Sequence, residues 1–235
     1  MPSTRRRIPD ASSSSRDRTP DTAGSDHAPG RGREFRSQSM GFVGTDVATM
    51  ICVIHAHPYL SRSRVNRALA EALRDSPDLD VRSLYSLYPD FDIDVVAEQK
   101  ALANAQLVVW MHPLYWYSVP ALLKHWFDKV LEFGWAYGDG AAALRGKSCL
   151  WVPTAGGDEG TYSQQGIHAH PFASFAPAIE QTALFCGMRW EPPHVVYGAD
   201  DLDDAQLSRH ATDLLQRLAP WREPTTPKKI AETAP

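Results

Sequence analysis

The sequence has few cysteines and no long apolar run. Its 235 residues include three cysteines, Cys52, Cys149 and Cys186, which lie far apart and inside apolar stretches. This spacing argues against a zinc motif and gives no disulfide framework, so we expect reduced thiols in a protein core. No apolar stretch approaches the roughly 20 residues that a membrane-spanning helix requires. These absences predict a cytoplasmic protein.

An excess of basic residues is also missing. The formal net charge is −4 and the isoelectric point is near 6.1. A nucleic-acid-binding surface usually carries a clear surplus of lysine and arginine, so we expect no nucleic-acid partner. His55 and His57 could share a metal ion, because they point the same way on a strand, but no third ligand has suitable spacing. We therefore predict no metal site.

Composition divides the chain into three parts. Residues 1–48 are rich in serine, arginine, aspartate, proline and glycine and contain very few large apolar residues. Such a segment cannot bury enough surface to offset its ordering entropy, so we expect a disordered N-terminal extension. The Pro-, Thr- and Lys-rich residues 223–235 predict a disordered C-terminal tail. The folded domain is expected over 49–222.

Within this domain, apolar runs alternate with helical patterns. The predicted strands cover 50–56, 81–88, 106–113, 148–155 and 194–198, and the predicted helices cover 65–75, 94–105, 120–133, 172–187 and 203–221. Continuously apolar strands separated by helices indicate an α/β fold with a parallel sheet that is covered on both faces. Five such strands predict the flavodoxin-like, doubly wound fold. Its ligands bind beyond the carboxyl ends of the strands, which here means the loops after His55, Pro113 and Thr154.

The first of these loops, 57–66, leads from a strand into a helix. The helix start offers free N–H groups and a positive dipole end, which favour an anion. The loop adds polar groups that suit a phosphate monoester: His57, Ser61, Arg62, Ser63, Arg64 and Asn66. It lacks the glycine patterns that bind pyrophosphate or nucleoside triphosphates. In the alternative interpretation, the serines only cap the helix and the histidines are ordinary strand-end residues.

The other two loops carry aromatic rings and paired glycines. Tyr115, Trp116 and Tyr117 follow the third strand, and three consecutive aromatics cannot all be buried by alternation. Some of them should offer flat surface to a planar ring, although core packing can account for one or two. After the fourth strand, Gly156 and Gly157 can bring backbone N–H groups close to a ligand.

A phenol and an imidazole follow the paired glycines. Tyr162 and His168 are the usual groups for moving a proton near neutral pH. The alternative is a flexible glycine loop with incidental polar residues.

Taken together, the motifs of the three loops resemble a known family. They are A-H-P followed by S-x-x-N, H-P-L-Y-W-Y-S-V-P followed by L-K-x-W-x-D-K-V, then G-W-A-Y-G and T-A-G-G. This combination resembles the flavodoxin-like NAD(P)H:quinone oxidoreductases of the DT-diaphorase type, over roughly 50–221. Within that family the sequence looks most similar to the ancillary flavoprotein subunit of glutathione-regulated potassium efflux systems.

The resemblance implies a flavin and assigns its contacts residue by residue. It implies FMN, with FAD as the alternative, and NAD(P)H as co-substrate; the single-phosphate character of the first loop favours FMN. The cofactor-binding residues that it implies are His57, Ser63, Arg64, Val65, Asn66, Leu114, Tyr115, Trp116, Tyr117, Thr154, Ala155, Gly156 and Gly157. Tyr162 and His168 match the pair that assists charge relay.

The same resemblance implies an activity and partners. The expected activity is two-electron, ping-pong hydride transfer from NAD(P)H to a quinone by a homodimer. The alternative is a regulatory subunit that docks on a potassium efflux transporter at the inner membrane, with incidental reductase activity.

Overall fold

A computed structural model describes residues 51–76 and 78–222 of the chain. The expectations of disorder for 1–48 and 223–235 fall outside these residues. The strands are β1 (Ile51–His55), β2 (Leu79–Ser83), β3 (Leu107–Pro113), β4 (Ser148–Thr154) and β5 (Arg189–Trp190). The helices are α1 (Arg64–Arg74), α2 (Leu84–Leu87), α3 (Val95–Asn104), α4 (Ala121–Val130), α5 (Pro177–Phe185) and α6 (Asp204–Leu218). In the described part of the chain, no helix is both long and apolar enough to cross a bilayer.

The five strands form one parallel sheet in the order β2-β1-β3-β4-β5. This order confirms the predicted flavodoxin-like, doubly wound fold. Every residue of β1, β3 and β4 is buried, as expected for central strands with helices on both faces. The chain reverses its direction of travel across the sheet at β1, so the carboxyl ends of β1, β3 and β4 frame a crevice.

Two apolar clusters hold the helices on the sheet. Alternate strand residues, including Ile54, Trp110 and Trp151, pack with α4 and α5 on one face. The intervening residues, including Val53 and Met111, pack with α1 and α6 on the other face. The three cysteines are buried free thiols, in agreement with the expectation of core thiols.

The strand predicted over 81–88 is wrong in its second half. The strand begins at Leu79 and ends at Ser83, and Leu84–Leu87 form one helical turn. Ser83 is paired with His55, the last residue of β1, so the chain beyond Ser83 has no neighbouring strand to bond. The turn instead buries Leu84 in the core.

The strand predicted over 194–198 is also misplaced. The regular strand lies earlier, at Arg189–Trp190, opposite Ser148–Cys149. The chain continues beside β4, where Val196 makes an isolated parallel bridge to Thr154. Pro192 and Pro193 interrupt the ladder because proline has no N–H group to donate.

Candidate functional site

A cavity of about 350 Å³ lies at the carboxyl edge of the sheet, where the three predicted loops meet. Ligand sites are usually concave and within this range of volume. Eight of the predicted cofactor-binding residues line it: His57, Ser63, Arg64, Asn66, Leu114, Tyr115, Thr154 and Gly156. The cavity lies where the three loops were expected to meet. Five of the predicted cofactor-binding residues are not in its lining, namely Val65, Trp116, Tyr117, Ala155 and Gly157.

Ser63 organises the anion-binding end of the cavity. It is the N-cap of α1, and its Oγ accepts a hydrogen bond from the Asn66 amide at 3.2 Å. The first N–H groups of a helix have no intrahelical acceptor, so the amides of Arg64 and Val65 remain available to a ligand. The side chain of Val65 is buried in the core under α1, and only its amide can serve the site.

Asn66 ties this helix end to the sheet. Its Nδ2 donates to Thr154 Oγ1 at 2.8 Å and to Ser63 Oγ at 3.3 Å. The residue is 2% exposed, and its Oδ1 has no partner among the described residues. A buried acceptor without a donor is costly, so this oxygen is suited to a ligand hydroxyl.

His57 presents a neutral imidazole to the cavity. Its Nδ1 accepts a hydrogen bond from the Tyr59 amide at 3.0 Å, which leaves the proton on Nε2. Burial lowers the pKa of His57 from its usual value, so the ring stays uncharged near neutral pH. The Nε2–H group can donate to an anionic oxygen.

The two arginines of the loop have different surroundings. The guanidinium of Arg64 donates to the Leu202 carbonyl at 2.8 Å and to the Asp204 carboxylate at 2.7 Å. The Arg64 guanidinium is therefore largely engaged by groups at the start of α6. Arg62 lies over the Tyr59 ring at 5.6 Å and lines the cavity. Arg62 is the cation better placed to serve an anion.

The aromatic loop forms a tight hairpin. Tyr115 and Ser118 exchange two backbone hydrogen bonds of 3.1 and 3.0 Å. Trp116 and Tyr117 between them have φ angles of 49° and 61°, as a type I′ turn requires. Leu114 and Tyr115 line the cavity, whereas Trp116 is 92% exposed and Tyr117 points to the loop after β4.

The residues of the loop after β4 make different contacts. The Ala155 amide donates to the Val196 carbonyl at 2.8 Å and its side chain is buried, so Ala155 holds the loop in place. Gly156 lines the cavity. A Cβ on Gly157 would lie 2.4 Å from Thr161 Oγ1, which explains the glycine. Across residues 51–76 and 78–222, the amides of Gly156 and Gly157 have no acceptor.

Tyr162 and His168 lie next to each other, outside the lining of the cavity. Their rings stack at 4.1 Å with an interplanar angle of 17°. Burial raises the pKa of Tyr162 above its usual value. His168 Nε2 lies 3.4 Å from the position that a Cβ on Gly157 would occupy. The pair therefore lies against the glycine turn, next to Gly157.

Several lining residues were not predicted, namely Tyr59, Pro113, Ala199 and Asp200. Ala199 and Asp200 belong to the loop that follows 194–198. The same rule that selected the other loops would have selected this one, because it follows the predicted fifth strand, and Val196 in that segment bridges Thr154 at the carboxyl end of β4. Asp200 places a carboxylate beside Gly156, 3.0 Å from a Cβ built there.

Among the described residues, His55 and His57 are not joined by a third side chain that could complete a metal site. In the part of the chain that the structure describes, no group of three His, Cys, Asp or Glu residues is placed to hold an ion. His55 is buried, and burial lowers its pKa to about 3.

Comparisons with known proteins match the whole folded region. The family model described as flavodoxin-like fold matches residues 49–218. The glutathione-regulated potassium-efflux system ancillary protein KefF of Salmonella typhi is 48% identical over 175 residues, which are 74% of this chain and 98% of that protein.

Two solved structures share the architecture. General stress protein 14 of Treponema denticola, solved in complex with FMN, is 34% identical with a TM-score of 0.70, over 73% of this chain and 99% of that chain. An NADPH-quinone reductase from P. pentosaceus is 26% identical with a TM-score of 0.65, over 72% of this chain and 96% of that chain. These matches confirm the resemblance drawn from the sequence motifs. The chain belongs to the family of proteins with a flavodoxin-like fold.

Proposed function

We propose that the chain is an FMN-dependent NAD(P)H:quinone oxidoreductase. The observation that carries this proposal is the cavity at the carboxyl edge, where a helix N-terminus, an aromatic hairpin and a glycine turn converge. An FMN complex and an NADPH-quinone reductase among the similar structures support it.

The residues present fit a flavin monophosphate. The phosphate would be held by Ser63, by the free amides of Arg64 and Val65, by His57 Nε2–H and by Arg62. The unpartnered Oδ1 of buried Asn66 would accept from a hydroxyl of the ribityl chain.

The phosphate-binding groups favour FMN over FAD. They cluster at one helix start, and the loop that leads into this helix lacks the glycine patterns that bind a pyrophosphate. We therefore propose FMN, and not FAD, as the bound flavin.

The chemistry combines the cofactor with fixed protein groups. A bound flavin supplies hydride transfer from NAD(P)H to a quinone in two successive half-reactions, a ping-pong scheme. Leu114 and Tyr115 offer apolar and aromatic surface on which a planar ring can lie. The unbonded amides of Gly156 and Gly157 would stabilise negative charge that develops at the ring edge.

His168, held by Tyr162, would supply the proton that accompanies hydride transfer to the quinone. His168 Nε2 faces the glycine turn, so a proton on this atom can balance the developing charge or pass to a quinone oxygen. Tyr162 covers one face of the imidazole and keeps water from it.

Rapid-mixing kinetics test these roles, with His168→Ala beside His170→Ala as the matched control. His170 is exposed in the same loop. We expect His168→Ala to retain its flavin and to slow quinone reduction about 100-fold, as loss of a general acid does. His170→Ala should match the wild type. Equal rates per bound flavin in all three proteins would remove His168 from the mechanism.

We propose in addition that two copies associate through one apolar surface. Phe133, Leu184 and Phe185 are exposed beside a cavity of about 600 Å³ that Tyr137 and Phe127 line between α4 and α5. Exposed apolar patches of this kind mark interaction sites. Sedimentation analysis should give a dimer for the wild type and a monomer for Phe185→Asp; monomeric wild type would refute the proposal.

A second candidate function is that of a regulatory subunit on a potassium efflux transporter, peripheral to the inner membrane. It is favoured by the 48% identity with a potassium-efflux ancillary protein over 98% of that protein's length. Co-purification with a potassium efflux transporter tests it. Binding that persists in His168→Ala would separate docking from reductase activity, and absence of binding would contradict the candidate.

A further inference from the structure

Tyr117 belongs to the aromatic hairpin and contacts the loop after β4. Its left-handed φ of 61° is unusual for a residue with a side chain. In this conformation its ring stacks on Phe175 at 5.0 Å with an interplanar angle of 29°. The strained turn therefore delivers the ring to one defined position, away from the cavity lining.

In that position the Tyr117 hydroxyl meets His168. The oxygen lies 3.3 Å from Nδ1, and the two rings are edge to face at 5.7 Å and 79°. Across residues 51–76 and 78–222, the ring nitrogens of His168 make no other hydrogen bond. A neutral imidazole whose Nδ1 accepts a hydrogen bond must carry its proton on Nε2.

The rest of the imidazole is fixed by packing. Tyr162 covers one face at 4.1 Å, and the backbone amide of His168 donates to the Thr161 carbonyl at 3.2 Å. Nε2 then faces the glycine turn at Gly157. Packing sets the plane of the ring, but it does not choose between the two tautomers. A phenol hydroxyl can donate to an imidazole nitrogen, and a Tyr117 hydroxyl that donates to Nδ1 leaves the proton of the neutral ring on Nε2.

We propose that the Tyr117 hydroxyl donates to His168 Nδ1, and that Tyr117 is thereby a positioning residue that fixes the neutral tautomer of His168 with the proton on Nε2, directed at the glycine turn. Its consequence for catalysis rests on the proposed function, because His168 is the proton-bearing group there. Tyr117 would thus act through His168, because its ring lies outside the lining of the cavity.

Nitrogen NMR of the ¹⁵N-histidine-labelled full chain tests the tautomer without turnover, with the His168 signals assigned by comparison with His168→Gln. Tyr117→Phe removes only the hydroxyl. Tyr197→Phe is the matched control, because Tyr197 lies in the same aromatic cluster, 5.9 Å from Tyr162, and donates to no described residue. We expect the Nε2–H tautomer in the wild type and in Tyr197→Phe, and a mixture in Tyr117→Phe. An unchanged tautomer in Tyr117→Phe would overturn the proposal.

Kinetics add the catalytic part. Tyr117→Phe should slow the quinone half-reaction about 10-fold, with unchanged flavin content and an unchanged rate of reduction by NADPH. A mixed tautomer with full quinone activity would overturn the positioning role in catalysis. A wild type that reduces no quinone would refute the proposed function, while the NMR result would still decide whether Tyr117 fixes His168.

Discussion

Asn66 Nδ2 lies 2.8 Å from Thr154 Oγ1, and this hydrogen bond joins the first turn of α1 to the end of β4. Both residues are buried at the cavity. One contact therefore fixes the phosphate-binding helix end relative to the strand that leads into the glycine turn. The two halves of the proposed flavin site depend on each other through it.

Replacing Asn66 by alanine should therefore weaken folding and flavin binding together. Loss of a buried hydrogen bond costs about 1–3 kcal/mol, and the affinity for FMN should fall about 10-fold. Urea unfolding and FMN titration measure the two effects. Glu71→Ala is the control, because Glu71 is exposed on the same helix, pairs only with Arg67 at 4.0 Å among the described residues, and should change both values little. Equal behaviour of the two variants would contradict the role of Asn66.

The arginines of the first loop should differ in their effect on phosphate binding. Arg62→Met should lower FMN affinity about 10-fold, which corresponds to about 1.4 kcal/mol. Arg64→Met should lower it less, because the Arg64 guanidinium is bonded to Leu202 and Asp204. Calorimetry with FMN and with riboflavin separates phosphate from ring contacts, and the Arg62 effect should vanish with riboflavin. A larger loss in Arg64→Met would reverse the assignment.

Gly157→Ala should distort the turn between the cavity and His168. The added Cβ would lie 2.4 Å from Thr161 Oγ1, and overpacking of this kind costs about 1–3 kcal/mol. Thr161→Ala removes that oxygen, so the double variant should recover most of the loss in thermal unfolding. A double variant no more stable than Gly157→Ala would show that another contact requires the glycine.

Stability should fall as the pH drops from about 7 to about 5. Burial lowers the pKa of His55 to about 3 and that of His112 to about 4. Both rings thus stay neutral in the folded chain while they gain protons in the unfolded chain below its pKa of about 6.5, and stability is lost toward the folded pKa values. Each histidine then costs about 2 kcal/mol at pH 5. Urea unfolding at both pH values measures this; equal stability would contradict it.

The sequence predicted the architecture because its central strands are buried from end to end. The continuous apolar runs of β1, β3 and β4 are typical of parallel strands that helices cover on both faces. Edges were harder. The end of β2 depends on where β1 ends, and the position of Arg189–Trp190 depends on its pairing with β4; local composition shows neither pairing.

The sequence predicted which loops border the cavity but not the contacts between them. Helix-start chemistry and glycine content identified Ser63, Asn66 and Gly156, all of which line the cavity. The engagement of Arg64 by Asp204, 140 residues away, and the contact of Tyr117 with His168 arise only when distant loops meet. No pattern in a single sequence reports such pairings.

The central claim is tested most directly by the visible absorption spectrum of the purified chain, before and after anaerobic addition of NADPH. We predict a yellow protein, or one that becomes yellow with added FMN, that loses its colour with NADPH and regains it with benzoquinone. A chain that takes up neither FMN nor FAD would contradict the flavin site, and a yellow chain that NADPH leaves unchanged would contradict the reductase.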